Sequence, residues 1–299
     1  MTLPLWLADT IAKLVQKAPG SPRLAPEVAF AEIPALTEHV TIPTRHGVIA
    51  AVLYSPAGGA AGRGVYVNLH GGGFVIRHPE QDDALCRYIA ANAGVTVLNV
   101  DYTPAPQSRF PGPVEQAYDL ATWAAAAERP WDGSKLAIGG QSAGGALAAG
   151  AARLALEHGS PRIAVQVLMY PPLDLTVSAA SKKAAGKETF LVRMGPIFDT
   201  VYCPDRARRG DRLISPAGPN DPTSLAGIAP ALVVTGEKDI LRDEAVRYAA
   251  RLQDAGSLLA HLDLPDVGHG FNILGAPREV VLPVYAAIAQ AITTAFGSE

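Results

Sequence analysis

The chain alternates short apolar runs with segments of helical period over most of its 299 residues. No other feature of the sequence constrains the fold as strongly. The apolar runs predict strands at 65–69, 95–100, 136–138, 163–169, 231–235 and 258–264. The segments between and after them predict helices at about 80–93, 113–128, 143–158, 243–255 and 278–296. Continuous apolar strands joined by helices form parallel sheets with both faces covered, so the sequence predicts an α/β fold with a mostly parallel sheet.

Two segments lie outside this alternation. The N-terminal part contains a predicted amphipathic helix at 5–18 and two predicted strands around the turn Arg45-His46-Gly47, which would lie at one edge of the sheet. Residues 176–225 form an insertion with a helix-like apolar pattern of its own. Because such insertions usually cover the ligand-binding ends of the strands, we expect 176–225 and 1–38 to form a cap. The core would then comprise 39–175 and 226–299.

Composition narrows the classes of function. Hydrophobic residues make up 48% of the chain, which supplies a sizeable core. The net charge is −3 and the charged residues are scattered, so nothing indicates a nucleic-acid or membrane-surface partner. Cys86 and Cys203 have no Cys or His at metal-ligand spacing, and two thiols suit a reducing compartment. With no basic n-region and no uninterrupted apolar stretch of about 18 residues, the sequence predicts a cytoplasmic protein without a metal.

Two glycine-rich segments carry the chemical signal. Gly140-Gln141-Ser142-Ala143-Gly144 follows one apolar run and matches the G-x-S-x-G nucleophile elbow. His70-Gly71-Gly72-Gly73 follows another and matches the loop that supplies backbone N–H groups to an oxyanion hole. A serine in a strand–helix turn can also act only as a helix cap. The two segments together, in this order, instead indicate an enzyme that attacks acyl carbonyls through Ser142.

A serine hydroxyl needs a base to become a good nucleophile. His269 lies in a loop after the last predicted strand and before the C-terminal helix, which matches the chain order Ser…Asp/Glu…His. His261 falls inside a strand pattern and is expected to be structural. The other histidines of the chain are His39, His46, His70, His78 and His158.

The third residue of a triad must follow a strand between Ser142 and His269. Asp239 stands just past the predicted strand 231–235, with Glu237 and Asp243 as rivals. Asp243 fits the first turn of a helix, where a carboxylate acts in capping. Asp239 is therefore the preferred acid.

These residues resemble the bacterial hormone-sensitive-lipase-like esterases, a family of α/β-hydrolases, from about residue 40 to the end. Five motifs fall in order at suitable spacing: His70–Gly73, Ser142–Gly145, Tyr170–Asp174, Asp239–Glu244 and His269–Phe271. The resemblance implies an eight-stranded α/β-hydrolase core with a helical cap and hydrolysis of short- to medium-chain acyl esters without a cofactor.

The resemblance also implies roles for individual residues. Ser142 would be the nucleophile, His269 the base and Asp239 the acid that orients it. The backbone N–H groups of Gly72, Gly73 and Ala143 would form the oxyanion hole. His70 would brace the glycine loop without transferring protons.

Two departures from the family pattern concern the surroundings of the elbow. Gln141 stands where the family usually has Asp, and Gln107 ends a stretch in which the family has an arginine and a second acid. Losing these charges together avoids leaving one buried and unpaired. Our hypothesis is that hydrogen bonds through Gln141 and Gln107 replace the ionic bracing.

The sequence leaves alternatives open. The same triad would serve an amide, a formamide or a lactone, and the altered surroundings of the elbow are compatible with a small-molecule-binding pseudo-hydrolase. A pure binding protein has no need of Ser142, Asp239 and His269 together. A homodimer through the C-terminal helix and the neighbouring edge strand is as compatible with the sequence as a monomer.

Overall fold

The computed structural model describes residues 3–18, 24–182, 189–219 and 221–297. Within these ranges one sheet contains eight strands: β1 (Leu36–Thr44), β2 (Gly47–Ser55), β3 (Val65–Leu69), β4 (Thr96–Asp101), β5 (Leu136–Gln141), β6 (Val165–Met169), β7 (Ala231–Gly236) and β8 (Leu258–Leu264). The helices are α1 (Leu5–Gln16), α2 (Asp83–Asn92), α3 (Gly112–Ala124), α4 (Ala143–His158), α5 (Thr189–Tyr202), α6 (Arg242–Asp254) and α7 (Arg278–Gly297). Residues 1–2 and 19–23 of the predicted cap segment 1–38, and 183–188 and 220 of the insertion, lie outside the described residues.

The strand order is β1-β2-β4-β3-β5-β6-β7-β8. β2 pairs antiparallel with β1 and with β4, and all other neighbours are parallel. The central strands β3, β5, β6 and β7 are buried at every position, which explains their continuous apolar sequences. The predicted fold class is confirmed, and the two early strands lie at one edge as expected.

The core has two layers, one on each face of the sheet. Helices α3, α4 and α6 cover one face with small and aliphatic side chains such as Leu120, Leu147 and Leu252. Helices α2 and α7 cover the other with larger side chains such as Ile89 and Tyr285. The carboxyl ends of β3, β5, β6 and β7 therefore open at one rim of the sheet, which is where ligands bind in folds of this kind.

Helix α7 is the one described helix that is long and apolar enough to cross a membrane by length and composition. It packs on α2, β6 and β7, and Val281, Val284, Tyr285 and Ile288 are buried in this contact. One third of its most apolar window is buried in all. Packing against the sheet thus accounts for the inner face of α7.

The predicted cap segments are only partly separate from the core. Helix α1 packs on α5 above the sheet rim, as a cap would. Val28 and Phe30 instead lie in the core layer of α2 and α7, and β1 already begins at Leu36. The end of the insertion returns to the opposite layer through Ile214 and Leu225. The boundaries of the predicted cap stay a prediction.

Candidate active site

Ser142 occupies a sharp turn between β5 and α4. Its backbone has φ 50° and ψ −121°, a conformation that L-residues adopt only when the surroundings impose it. The ends of β3 and β6 surround this turn. A Cβ on Gly140 would lie 2.3 Å from the Leu69 carbonyl oxygen at the end of β3. The Met169 carbonyl oxygen at the end of β6 accepts a hydrogen bond from the Ser142 N–H. Glycine at 140 lets these backbones approach, and Ser142 is held at the rim of the sheet.

The structure brings Ser142, His269 and Asp239 together in one chain of contacts. His269 Nε2 lies 2.8 Å from Ser142 Oγ, and His269 Nδ1 lies 2.8 Å from Asp239 Oδ2. The other Asp239 oxygen accepts a hydrogen bond from the Leu241 N–H, also at 2.8 Å. Asp239 is 2% exposed. This carboxylate is therefore fixed in position and shielded from water, as the orienting member of a triad must be.

The two rival acids have other surroundings. Glu237 accepts a hydrogen bond from the Asp266 N–H at 2.9 Å. Asp243 lies in the first turn of α6 with its side chain 73% exposed. Its place at the helix N-terminus suits the capping and dipole role expected of it.

The glycine loop after β3 lies against the same site. Gly72 has φ 131° and its carbonyl accepts hydrogen bonds from the Val75 and Ile76 N–H groups, so the loop turns back on itself. Gly73 has φ 60°, and a Cβ there would lie 2.3 Å from the Phe198 ring of α5. Gly72 and Gly73 line the same cavity as Ser142 and His269.

The third predicted donor is the first residue of a helix. Ala143 begins α4, and the first N–H groups of a helix have no partner within it. Together with the positive end of the helix dipole, they favour a developing negative charge beside Ser142.

His70 is placed as a brace of the loop. It is fully buried, its Nδ1 lies 2.6 Å from the Gly71 carbonyl oxygen, and its ring stacks on Tyr102 at 4.4 Å. Burial lowers the pKa of His70 to about 4, so the ring is neutral near pH 7. Its contacts are within the loop and with Tyr102, in keeping with the expectation that it holds the backbone.

The structure separates the two glutamines that the hypothesis joined. Gln141 is buried, and its Oε1 accepts hydrogen bonds from Tyr170 OH and from Asn272 Nδ2, the latter at 2.7 Å. Gln107 instead pairs with Gln16 of α1, whose Nε2 also donates to two backbone carbonyls of the core. Gln141 therefore stands behind the elbow, whereas Gln107 fastens α1 to the core.

Sequence reasoning missed two residues of this group. Tyr170 follows β6, its hydroxyl oxygen lies 2.5 Å from Asn272 Oδ1, and its ring packs edge-on against the His269 ring at 4.9 Å. Asn272 follows the histidine loop and donates to Tyr285 OH at 3.0 Å. The matched Tyr170-Pro171 motif was the available signal for the first. Nothing in the sequence marked Asn272.

A cavity of about 590 Å³ opens onto Ser142 and His269. Around Ser142, His269 and the glycine loop its walls are mainly apolar, and include Val15, Ile76, Phe190, Leu191, Phe198, Ile273 and Leu274. A separate cavity of about 450 Å³ beside Arg206 and Arg209 contains none of the predicted site residues. Across the described ranges, no three His, Cys, Asp or Glu side chains are grouped so that they could hold a metal ion.

The chain is similar to known α/β-hydrolases. A family model described as the alpha/beta hydrolase fold matches residues 66–273. The chain is 35% identical over 247 residues to "Carboxylic ester hydrolase LipN" of Mycobacterium tuberculosis, covering 78% of this chain and 63% of LipN. It is 32% identical over 230 residues to "Arylesterase" of Saccharolobus solfataricus, covering 76% of this chain and 73% of that protein.

Among solved structures, a hyperthermophilic esterase from the archaeon Pyrobaculum calidifontis superposes with a TM-score of 0.81 at 31% identity. That match covers 97% of this chain and 92% of the other. The match to LipN, by contrast, spans a little less than two thirds of that relative's length.

Proposed function

Because this chain belongs to the hormone-sensitive-lipase-like family of α/β-hydrolases, we propose that it is a serine carboxylic-ester hydrolase acting on short- to medium-chain acyl esters. The observation that carries the proposal is the continuous contact from Asp239 through His269 to Ser142, at 2.8 Å for each step. The similar proteins named as esterases support the same reaction class.

Acylation follows from this geometry. His269 Nε2 accepts the Ser142 proton while Oγ attacks the ester carbonyl, and the carbonyl oxygen becomes an oxyanion beside the N–H groups of Gly72, Gly73 and Ala143. His269 then gives the proton to the leaving alcohol as the C–O bond breaks. The products of this half-reaction are the free alcohol and an ester between Ser142 and the acyl group.

Deacylation reverses the same roles with water. His269 removes a proton from water as its oxygen attacks the acyl carbonyl, and returns the proton to Ser142 Oγ as the acid leaves. Asp239 accepts the hydrogen bond from His269 Nδ1 throughout. It keeps Nε2 pointing at Oγ and stabilises the imidazolium that forms in each step.

The cavity supports neutral, apolar substrates. Its walls are predominantly aliphatic and aromatic, and Ile76, Phe198 and Ile273 line the same cavity as Ser142. Burying an acyl chain against such walls is favourable by about 25 cal/mol per Å² of apolar surface removed from water.

The test is covalent labelling with a fluorophosphonate, located by peptide mass spectrometry and paired with hydrolysis of p-nitrophenyl butyrate. We expect stoichiometric labelling at Ser142, lost in His269→Ala, and turnover that falls by a factor on the order of 10⁶ in Ser142→Ala. Folded protein that is neither labelled nor faster than Ser142→Ala would instead be a small-molecule-binding pseudo-hydrolase. Parallel assays with a butyryl anilide, a formamide and a lactone would reveal a preference for one of those substrate classes over esters.

The setting of the enzyme is also a proposal. We infer a cytoplasmic location from Cys86 and Cys203, which are both free and buried. The edge strand β8 beside α7 offers the surface for a homodimer, with Leu259 52% exposed. Light scattering of the purified chain would decide between dimer and monomer. The predicted cap, built on the contact of α1 with α5, would cover the acyl cavity.

A further inference from the structure

A carboxyl group outside the triad lies buried behind the nucleophile elbow. Asp82 ends the short 3₁₀ helix Pro79–Asp82, which follows the glycine loop, and it is 0% exposed. Its Oδ2 accepts a hydrogen bond from Asn68 Nδ2 of β3 at 2.8 Å. Within the described part of the chain, Asp82 forms no ion pair. A buried carboxylate without a cation is costly unless polar groups surround it, so the groups around Asp82 are informative.

Two side-chain amides face the second oxygen of this carboxyl group. Gln81 and Gln141 both lie against Asp82, and both lower its pKa. Asp82 Oδ1, Gln81 Nε2 and Gln141 Nε2 are all buried, and none has an aligned hydrogen-bond partner among the described residues. One anionic acceptor and two donors thus converge at one point in the interior.

This point lies directly behind the reacting serine. A Cβ placed on Gly71 would lie 3.3 Å from Gln81 Nε2 and 3.5 Å from Ser142 Cβ. Gln141 is also the residue that precedes Ser142, and its other amide atom, Oε1, is held by Tyr170 and Asn272. Tyr170 and Asn272 therefore hold the Gln141 amide at its oxygen, while its nitrogen faces Asp82.

We propose that Asp82 is a positioning residue for this active site: its carboxylate orients the Gln141 amide, which holds the strained elbow at Ser142 and the Tyr170 ring that packs against His269. This inference rests on the proposed function, because the effect of such positioning is measured as turnover. Asp82 touches neither the substrate nor the reacting atoms. Its contribution passes through Gln141.

The ionisation of Asp82 gives this role a pH signature. Burial raises the pKa of Asp82 to about 7. The groups that face it are Glu80 on its own 3₁₀ helix, Tyr66 of β3, Cys86 of α2, and Tyr102, Tyr170 and Tyr285. Burial raises the pKa of the five tyrosine and cysteine groups above their ordinary values, so they stay neutral where Asp82 titrates. The carboxylate can accept hydrogen bonds from both amides, whereas the protonated acid competes with them as a donor.

The first experiment compares Asp82→Asn with the wild type from pH 5.5 to pH 8.5, using p-nitrophenyl butyrate. At pH 8.5 we expect kcat to fall on the order of tenfold with KM within about twofold. The ratio of wild-type to variant kcat should shrink towards one at pH 5.5, because the protonated wild type then resembles the variant. Asp83→Asn, one residue along on α2, is the matched control and should leave the ratio near one throughout. A ratio that does not change with pH would overturn the positioning role.

The second experiment exchanges the two groups. Gln141→Glu places two carboxyl groups face to face and should lower kcat, whereas Asp82→Asn/Gln141→Glu restores one carboxylate facing one amide. We expect the double variant to regain kcat to within about threefold of the wild type, and to melt at a higher temperature than Gln141→Glu. A folded double variant no more active than the weaker single variant would overturn the proposal.

The activity of the wild type separates the two levels of inference. If the wild type lacks turnover and fluorophosphonate labelling, the proposed function fails and the positioning role fails with it, even where the melting temperatures show the exchange. If the wild type turns over and Asp82→Asn is unchanged, only the positioning role fails.

Discussion

Replacing Gly73 by alanine tests whether its N–H group is an oxyanion donor, and the structure gives the size of the perturbation. At φ 60°, a residue with a Cβ costs about 1–2 kcal/mol relative to glycine. The new Cβ would also lie 2.3 Å from Phe198 Cδ2, whereas carbon atoms in contact are about 3.5–4.0 Å apart. Phe198 is 3% exposed, so its ring cannot swing into solvent. Overpacking adds about 1–3 kcal/mol, and the loop must shift by roughly 1 Å to relieve it.

A shift of that size moves the Gly73 N–H away from the oxyanion, and losing one such donor lowers kcat by about 10²–10³. The assay is kcat and KM for p-nitrophenyl butyrate together with the free energy of unfolding in urea. Gly159→Ala is the matched control, because Gly159 has φ 72° with open space around it and lies at the far end of α4. It should lose only the strain component of stability and keep its kcat.

A second variant separates the clash from the strain. Adding Phe198→Leu to Gly73→Ala removes the ring from the path of the new Cβ, so part of kcat should return while the backbone strain remains. The reasoning is refuted if Gly73→Ala loses more stability than Gly159→Ala, as overpacking requires, yet keeps kcat within threefold of the wild type. Its N–H would then not be a donor to the oxyanion.

Three further perturbations have expected outcomes. Asp239→Asn should leave the fold intact but lower kcat by about 10⁴, because the amide favours the wrong tautomer of His269, and stopped-flow hydrolysis measures this loss. Lys182→Met removes the 2.5 Å partner of the buried Glu244 and should cost about 3–5 kcal/mol in urea unfolding, recovered when Glu244→Gln is added. Hydrogen bonds from Arg212 and Arg153 lower the pKa of Glu157 from 4.5 to about 2. The stabilisation from ionised Glu157 is therefore present above pH 4.5 and is lost as the pH falls towards 2. Glu157→Gln should remove this pH dependence from an acid-unfolding curve.

The local sequence was enough to place most strands and helices. It did not give the ends of those elements whose length depends on contacts with adjacent strands. The strands at 65–69 and 258–264 were predicted to the residue, because most residues in each are apolar. β5 was predicted to end at Ile138, yet it runs to Gln141. A Cβ on Gly139 would lie 2.5 Å from Tyr66 OH across the sheet. Position 139 requires glycine because of a side chain on the adjacent strand, and no local sequence pattern reveals such a contact.

The same limit applies to the site. Ser142, Asp239 and His269 could be named from the sequence because each follows a strand end in a fixed chain order. Tyr170 and Asn272 could not, since they meet Gln141 only after β5 and β6 pair and the loop beyond β8 folds back over them. These contacts depend on the order of the strands in the sheet, which the order of the motifs along the chain does not reveal.

The buried carboxyl group of Asp82 behind the elbow changes the interpretation of Gln141. The family pattern has an acid at 141, and its absence led to the hypothesis of neutral hydrogen bonding through Gln141 and Gln107. The structure instead has a carboxyl group facing Gln141, supplied by Asp82 from the segment that follows the glycine loop. An amide at 141 and an acid at 82 make the same kind of pair as an acid at 141 and a neutral donor at 82. Gln141 therefore faces a carboxyl group instead of supplying one, and the double variant Asp82→Asn/Gln141→Glu tests whether the two positions are interchangeable.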